Sequence, residues 1–316
     1  MDESTTLEGF RARTPSSRLD LLRSLQRIEP GRHLVRLAAF LLLYAAAAVS
    51  AVLLVQALPG WSGVALAVPL YVLAGASLHG VSLFTHEGVH GALSRNRSVN
   101  RFLASACALP VLQNYSAYRV LHLRHHGDTA GEDDPDHYEN YSGRRPRLLF
   151  LMHWTRLLVG YPIYITGIPI LGLWYGRGSE RAWIALELAI LAGAAAAVIA
   201  SVPGAVLLHA WALPMLAVNF IVNVRGMSQH TLLEDPHHRI RGTRSILTGR
   251  VVSFFMIHEN LHLEHHLYPA VPWYHLPSLH EALAEDLRAE RAPFIPSYGS
   301  FVRDFARRSI DLIRAS

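Results

Sequence analysis

The chain has 316 residues, 51% hydrophobic and 17% charged, with a mean hydropathy of +0.21, which is greasy for a soluble domain. All 29 basic residues are arginine and the formal charge is +5; they are scattered and no recognition motif accompanies them, which argues against a nucleic-acid binder and for the charged flanks of membrane helices. Cys107 is the one cysteine, so an internal disulfide and thiolate-held metals are excluded, and any metal must sit on nitrogen or oxygen.

Met1 to Arg36 reads as a polar N-terminal arm. It lacks the early apolar turn of a secretory leader, so none is expected. Within it, Asp20 to Ile28 carries apolar residues at helical spacing and could lie on a membrane surface. Leu37 to Leu58 is uncharged and long enough to cross about 30 Å of hydrocarbon. Arg23, Arg27, Arg32 and Arg36 precede it, so its start is expected in the cytoplasm. Pro59-Gly60-Trp61 turns the chain, and Gly63 to Phe84 returns as a second span.

Phe102 to Leu112 is apolar but too short to cross, and reads as interfacial or re-entrant. The segment GDTAGEDDPDHYEN reads as a loop. Leu148 to Tyr175 is apolar but broken by His153, Arg156, Pro162 and Pro169; it is expected to lie in the interface rather than cross. Trp183 to Ala200, with Glu187 as its one charge, and Leu207 to Val224 complete four spans. Ser278 to Arg291 and Pro296 to Ser316 read as helices, the latter amphipathic. The fold expected is all-α: an integral membrane protein of about four spans with a cytoplasmic helical cap. The expected divisions are the arm (1–36), the membrane domain (37–283) and a helical tail (284–316).

Three histidine clusters fall at the cytoplasmic ends of these spans. His86 and His90 stand at i and i+4 in HEGVH. His122, His125 and His126 in HLRHH, and His262, His265 and His266 in HLEHH, stand at i, i+3 and i+4. On a helix each set projects from one face. Neutral imidazole is the commonest ligand for iron, copper and zinc. Eight imidazoles are too many for one ion and about right for two. HEGVH alone matches the HExxH of zinc proteases, with Glu87 as base, but a protease would leave the two HxxHH clusters unexplained. Either HxxHH alone is as readily a solvated helix face; all three together at one membrane side are not.

In this order and setting the clusters resemble the three histidine boxes of the membrane fatty acid desaturase superfamily of non-haem di-iron enzymes. DDPDH after the second box and NLHLEHHLYPAVPWYHLP across the third match as well, and the likeness runs from about Leu73 to Leu283. The resemblance adds His230, in VRGMSQHTLLEDP, as a ninth ligand. The implied set is His86, His90, His122, His125, His126, His230, His262, His265 and His266. Asn223 stands at a different spacing from the asparagine of related enzymes and is left out of the set. Glu87, Asp134, Asp136, Glu259 and Glu264 are candidates to accept the second N–H of a ligand imidazole. His79 could line a substrate tunnel or pack in its helix; Tyr115, Tyr118, Trp154, Trp273 and Tyr274 could shape an entrance.

The resemblance implies O2-dependent desaturation of a fatty acyl chain at two iron ions. Electrons would come from a separate carrier, such as a ferredoxin or a cytochrome b5 with its reductase, since no HPGG haem motif is present. The arginine flanks and the four spans put the metal site on the cytoplasmic side, and the setting expected is a bacterial cytoplasmic membrane. A carotenoid or other lipid hydroxylase or ketolase of the same superfamily is the alternative.

Overall fold

The structure is a computed structural model that describes residues 16–143 and 145–314; the first fifteen residues of the N-terminal arm and the last two of the tail lie outside them. Twelve helices of six residues or more carry the described fold: α1 (Ser16–Leu25), α2 (Pro30–Ala57), α3 (Trp61–Val89), α4 (Arg97–Ala108), α5 (Tyr115–Gly127), α6 (Pro146–Tyr175), α7 (Ser179–Ser201), α8 (Gly204–His230), α9 (Arg250–Phe255), α10 (His262–Leu267), α11 (Leu276–Ala289) and α12 (Tyr298–Arg314). Two short parallel strands, β1 (Ser245–Ile246) and β2 (Phe294–Ile295), pair Ser245 with Phe294 and tie the cap together.

Five helices are long and apolar enough to cross a membrane: α2, α3, α6, α7 and α8. The protein is an all-α integral membrane protein. The helix α3 forms its axis and is the most enclosed of the five. Its small residues let neighbours approach closely: a methyl on Gly75 would lie 2.5 Å from the Pro214 carbonyl of α8, and one on Gly80 would lie 2.6 Å from the Phe40 ring of α2.

The helix α6 enters the helix bundle and turns back. Pro162 offers no N–H to the carbonyl of Leu158, and Val159 leaves the helical region at φ −138°, ψ 22°. Asn219 of α8 repairs the break: its Nδ2 donates to Leu158 O at 2.9 Å, and its Oδ1 accepts from Tyr161 N at 3.0 Å. The first arm descends beside α8, with Leu157 packed on Val224 and Met227. At the bend, Tyr161 packs on Leu78, Val111 and Val218. The second arm runs back along α5, Gly172 against Ala117, until Tyr175 lies 4.4 Å under Arg124, one residue before His125. Both ends of α6 therefore lie on the histidine side, and α2, α3, α7 and α8 are the four crossings.

The segment α4–α5 is re-entrant in the same sense. Leu112 sits in the left-handed region at φ 57° and turns the chain at its deepest point. There Trp211 donates to Pro110 O and Tyr161 to Val111 O, at 2.8 Å each. Asn114 caps α5 by accepting from Ala117 N at 2.8 Å. Glu187, the one charge of α7 beyond its first turn, accepts from Ser116 N and Oγ at 2.7 Å each, so it satisfies a free N–H at the start of α5.

The crossings start and end differently from the hydropathy reading. α2 begins at Pro30, ahead of the apolar run, and the charge in its second turn is covered by the cap: Arg36 lies 4.3 Å from the Phe254 ring and 4.5 Å from that of Trp273. α3 runs on through Val89 and α8 through His230, so both carry histidines out of the apolar zone without a break.

Candidate metal centre

All nine histidines singled out from the sequence converge at the cap end of the crossings. His86 and His90 end α3, and His122, His125 and His126 occupy the last turns of α5. His230 is the last residue of α8, and His262, His265 and His266 fill the six-residue α10. Their nitrogens fall into two groups. His86, His90, His122, His126 and His265 form one, and His125, His230 and His266 the other, each with one nitrogen per ring within 4.8 Å of the others. His262 closes the second group, its Nε2 lying 3.0 Å from His230 Nε2 and 3.1 Å from His266 Nε2. The groups share a wall where the rings of His126 and His266 stack at 4.1 Å. The i, i+3, i+4 spacing thus divides each HxxHH box: the neighbours His125 and His126 go to different groups, as do His265 and His266.

Hydrogen bonding among the rings does not account for this geometry. His122 Nε2 lies 3.1 Å from His90 Nε2 and 3.0 Å from His126 Nε2. His126 Nε2 has a further neighbour, His265 Nε2, at 3.3 Å. An imidazole nitrogen has one in-plane position, filled by a proton or by a lone pair, so it cannot serve two such partners. Lone pairs converging on a cation remove the conflict: two nitrogens about 2.1 Å from one ion, at right angles, lie about 3.0 Å apart. Burial and then mutual crowding hold His122, His126, His265 and His266 well below the usual imidazole range, neutral and available as ligands. The donor set fits two ions that accept neutral nitrogen.

Two carboxylates aim rings of the second group. Asp134, from the DDPDH loop, holds His125 Nδ1 at 2.9 Å and is itself fixed by the backbone N–H groups of Ala130 and Asp136. Burial opposes the charged form of His125, but the Asp134 bond outweighs it and raises the pKa. Glu259 lies 2.6 Å from His262 Nδ1 through Oε1, which also faces His86 Nε2 at 3.8 Å. Its Oε2 accepts from Arg225 Nη1 at 2.6 Å and from Gln229 Nε2 at 3.0 Å. Burial works against the Glu259 charge, but Arg225 and His262 hold its pKa well below the usual carboxylate range.

The other candidates do different work. Glu264 accepts from Ser245 Oγ and pairs with His280 Nδ1, both at 2.5 Å, so it locks α10 to β1 and α11. Glu87 accepts from the backbone N–H of Trp273 at 3.1 Å. Asp136 and Tyr118 line the cavity described below, whereas His79 is enclosed in α3 away from it. Asn223 donates to Asn219 at 3.0 Å, and its Oδ1 lies against Gly160. Tyr115, Trp273 and Tyr274 are buried in the core, and Trp154 donates to Ser309 of α12 at 3.2 Å. In the sequence Arg225 and Gln229 look like the polar flank of a span; the one signal for them is a charge carried inside a crossing helix.

A cavity of about 490 Å³ opens beside the imidazoles. One wall is a stripe of α6 from Leu148 to Leu171, recurring every three or four residues; Tyr118 of α5 and Val222 of α8 face it. His86, His122, His125, His230 and His262 close its head, so both groups border one mostly apolar groove.

Residues 59–298 match the family model described as fatty acid desaturase. The chain is 24% identical to the sn-1 oleoyl-lipid 12-desaturase of Arthrospira platensis over 255 residues, 69% of each chain. It is 21% identical to a chloroplastic omega-6 fatty acid desaturase of Arabidopsis thaliana, covering 67% of this chain and 52% of that one. It is also 29% identical to a zeaxanthin 4-ketolase of Chlamydomonas reinhardtii, over 63% of this chain and 40% of that one.

Proposed function

The chain belongs to the fatty acid desaturase family, and on that footing we propose that it desaturates the acyl chain of a membrane lipid at two irons held by the nine histidines. The observation that carries this reading is the apolar groove headed by both imidazole groups. A –CH2–CH2– unit, one O2, two electrons and two protons give –CH=CH– and two waters. Iron held by these imidazoles would supply the activation of O2 that an unactivated methylene requires.

The chain's own residues do the rest. The α6 stripe and Tyr118 bind the tail, exclude water and hold one pair of methylenes beside the imidazoles. Asp134 accepts at Nδ1 of His125, and Glu259 lies 2.6 Å from Nδ1 of His262, pairings that favour the tautomer with Nε2 free for metal. The electrons come from a separate protein, a ferredoxin or a cytochrome b5 with its reductase, docking on the cap. The arginine flanks support a cap on the cytoplasmic side, and the setting proposed is a bacterial cytoplasmic membrane.

The ketolase match supports a second reading, oxygenation of a carotenoid ring seated in the same groove. The test is expression with His265→Ala as control, in a host that lacks desaturases and makes carotenoids, with ferredoxin and iron supplied. Gas chromatography of fatty acid methyl esters is expected to find a new unsaturated species with the wild type alone. Unchanged acyl chains beside an oxygenated pigment would move the assignment to the second reading.

A further inference from the structure

The groove contains a positive charge that the mechanism above does not use. Arg156 projects from the α6 stripe, and its guanidinium rests against Gly226 of α8, one turn before His230, where a methyl would meet Nη2 at 2.7 Å. A side chain at that point would have to displace the guanidinium. On its other side is the ring of Tyr138, 5.0 Å from Cζ. Among the described residues no carboxylate comes within 4.0 Å of it, whereas Arg225 in the same groove is paired with Glu259.

Arg156 also stands at a junction. A second, more polar cavity of about 200 Å³ lies on the cap side, bordered by Thr129, His137 and Arg308. Arg156, Tyr138, His125 and His230 line both cavities. A molecule with a long apolar tail and a polar head would fill the two chambers in that order, with the change of polarity at the guanidinium.

We infer that Arg156 is the head-group anchor of the substrate groove, selecting acyl lipids that carry an anionic oxygen group, a carboxylate or a phosphate, over uncharged ones. A planar guanidinium matches both groups with paired N–H donors. Asp136 borders the same two chambers and limits the attraction. The inference rests on the acyl-lipid reading of the groove, but it is tested by binding, so it can fail while desaturation stands, and the reverse.

The experiment measures equilibrium binding of oleate, dioleoyl phosphatidate and uncharged oleyl alcohol to the purified full chain in nonionic detergent. The wild type is expected to hold one or both anions more tightly than the alcohol; which anion is preferred separates a free carboxylate from a phosphate head. Arg156→Gln is expected to weaken the preferred anion about tenfold or more and leave oleyl alcohol unchanged, which also reports an intact groove. Arg156→Lys should restore part of the preference, and Asp136→Asn should strengthen anion binding. Equal affinity of the wild type for anion and alcohol, or full anion affinity in Arg156→Gln, would overturn the inference.

Discussion

The two imidazole groups both draw on the second and third boxes, one completed by His86 and His90 and the other by His230, but they are held differently. In the four-membered group, His125 is braced by Asp134 and His262 by Glu259, and Glu259 is anchored in turn by Arg225 and Gln229. In the five-membered group no carboxylate reaches a ring within hydrogen-bond distance among the described residues; the rings of His86, His90, His122, His126 and His265 constrain one another by packing, with centroids 4.4–6.5 Å apart where they touch. One group is therefore oriented by charge and the other by crowding. Loss of a carboxylate should damage the first and spare the second.

Glu259→Ala should have the largest effect, because it strands the largely enclosed Arg225 as well as releasing His262. Breaking a buried ion pair costs about 3–5 kcal/mol, so thermal unfolding in detergent should fall by many degrees. A loss within 1 kcal/mol would mean that water already reaches Arg225. Asp134→Asn should be milder and more selective. Losing such a partner weakens metal affinity about 10–100-fold, which chelator competition should detect for one of two bound irons; equal weakening of both would erase the distinction between the groups. Asn219→Ala leaves the Leu158 carbonyl unpaired at the α6 bend and should cost about 1–3 kcal/mol. Unchanged stability would show that the bend needs only Pro162.

Much of this was legible in the sequence, for physical reasons. Four crossings follow from apolar runs of sufficient length, and the boxes from helical spacing that puts imidazoles on one face. The broken apolar stretch from Leu148 to Tyr175 passes every test of length and composition for a crossing. Its two prolines and its arginine were the better guide, because they mark where a helix can bend and where polar contents need a cavity. What the sequence withheld was pairing at long range. Nothing local connects Arg225 to Glu259, or His230 to His262, 34 and 32 residues apart. The division of the nine histidines into five and four also depends on how α5 and α10 face each other across the wall formed by His126 and His266.

That division is the central claim, and adjacent residues test it most directly. Metal analysis of the purified wild type, His125→Ala and His126→Ala, each loaded with ferrous iron, should find about two irons per chain in the first and about one in each variant. The iron that remains should differ between the two variants in its Mössbauer parameters, because His125 and His126 belong to different groups. One iron in the wild type, zinc in its place, or the same residual iron in both variants would contradict a centre divided in this way.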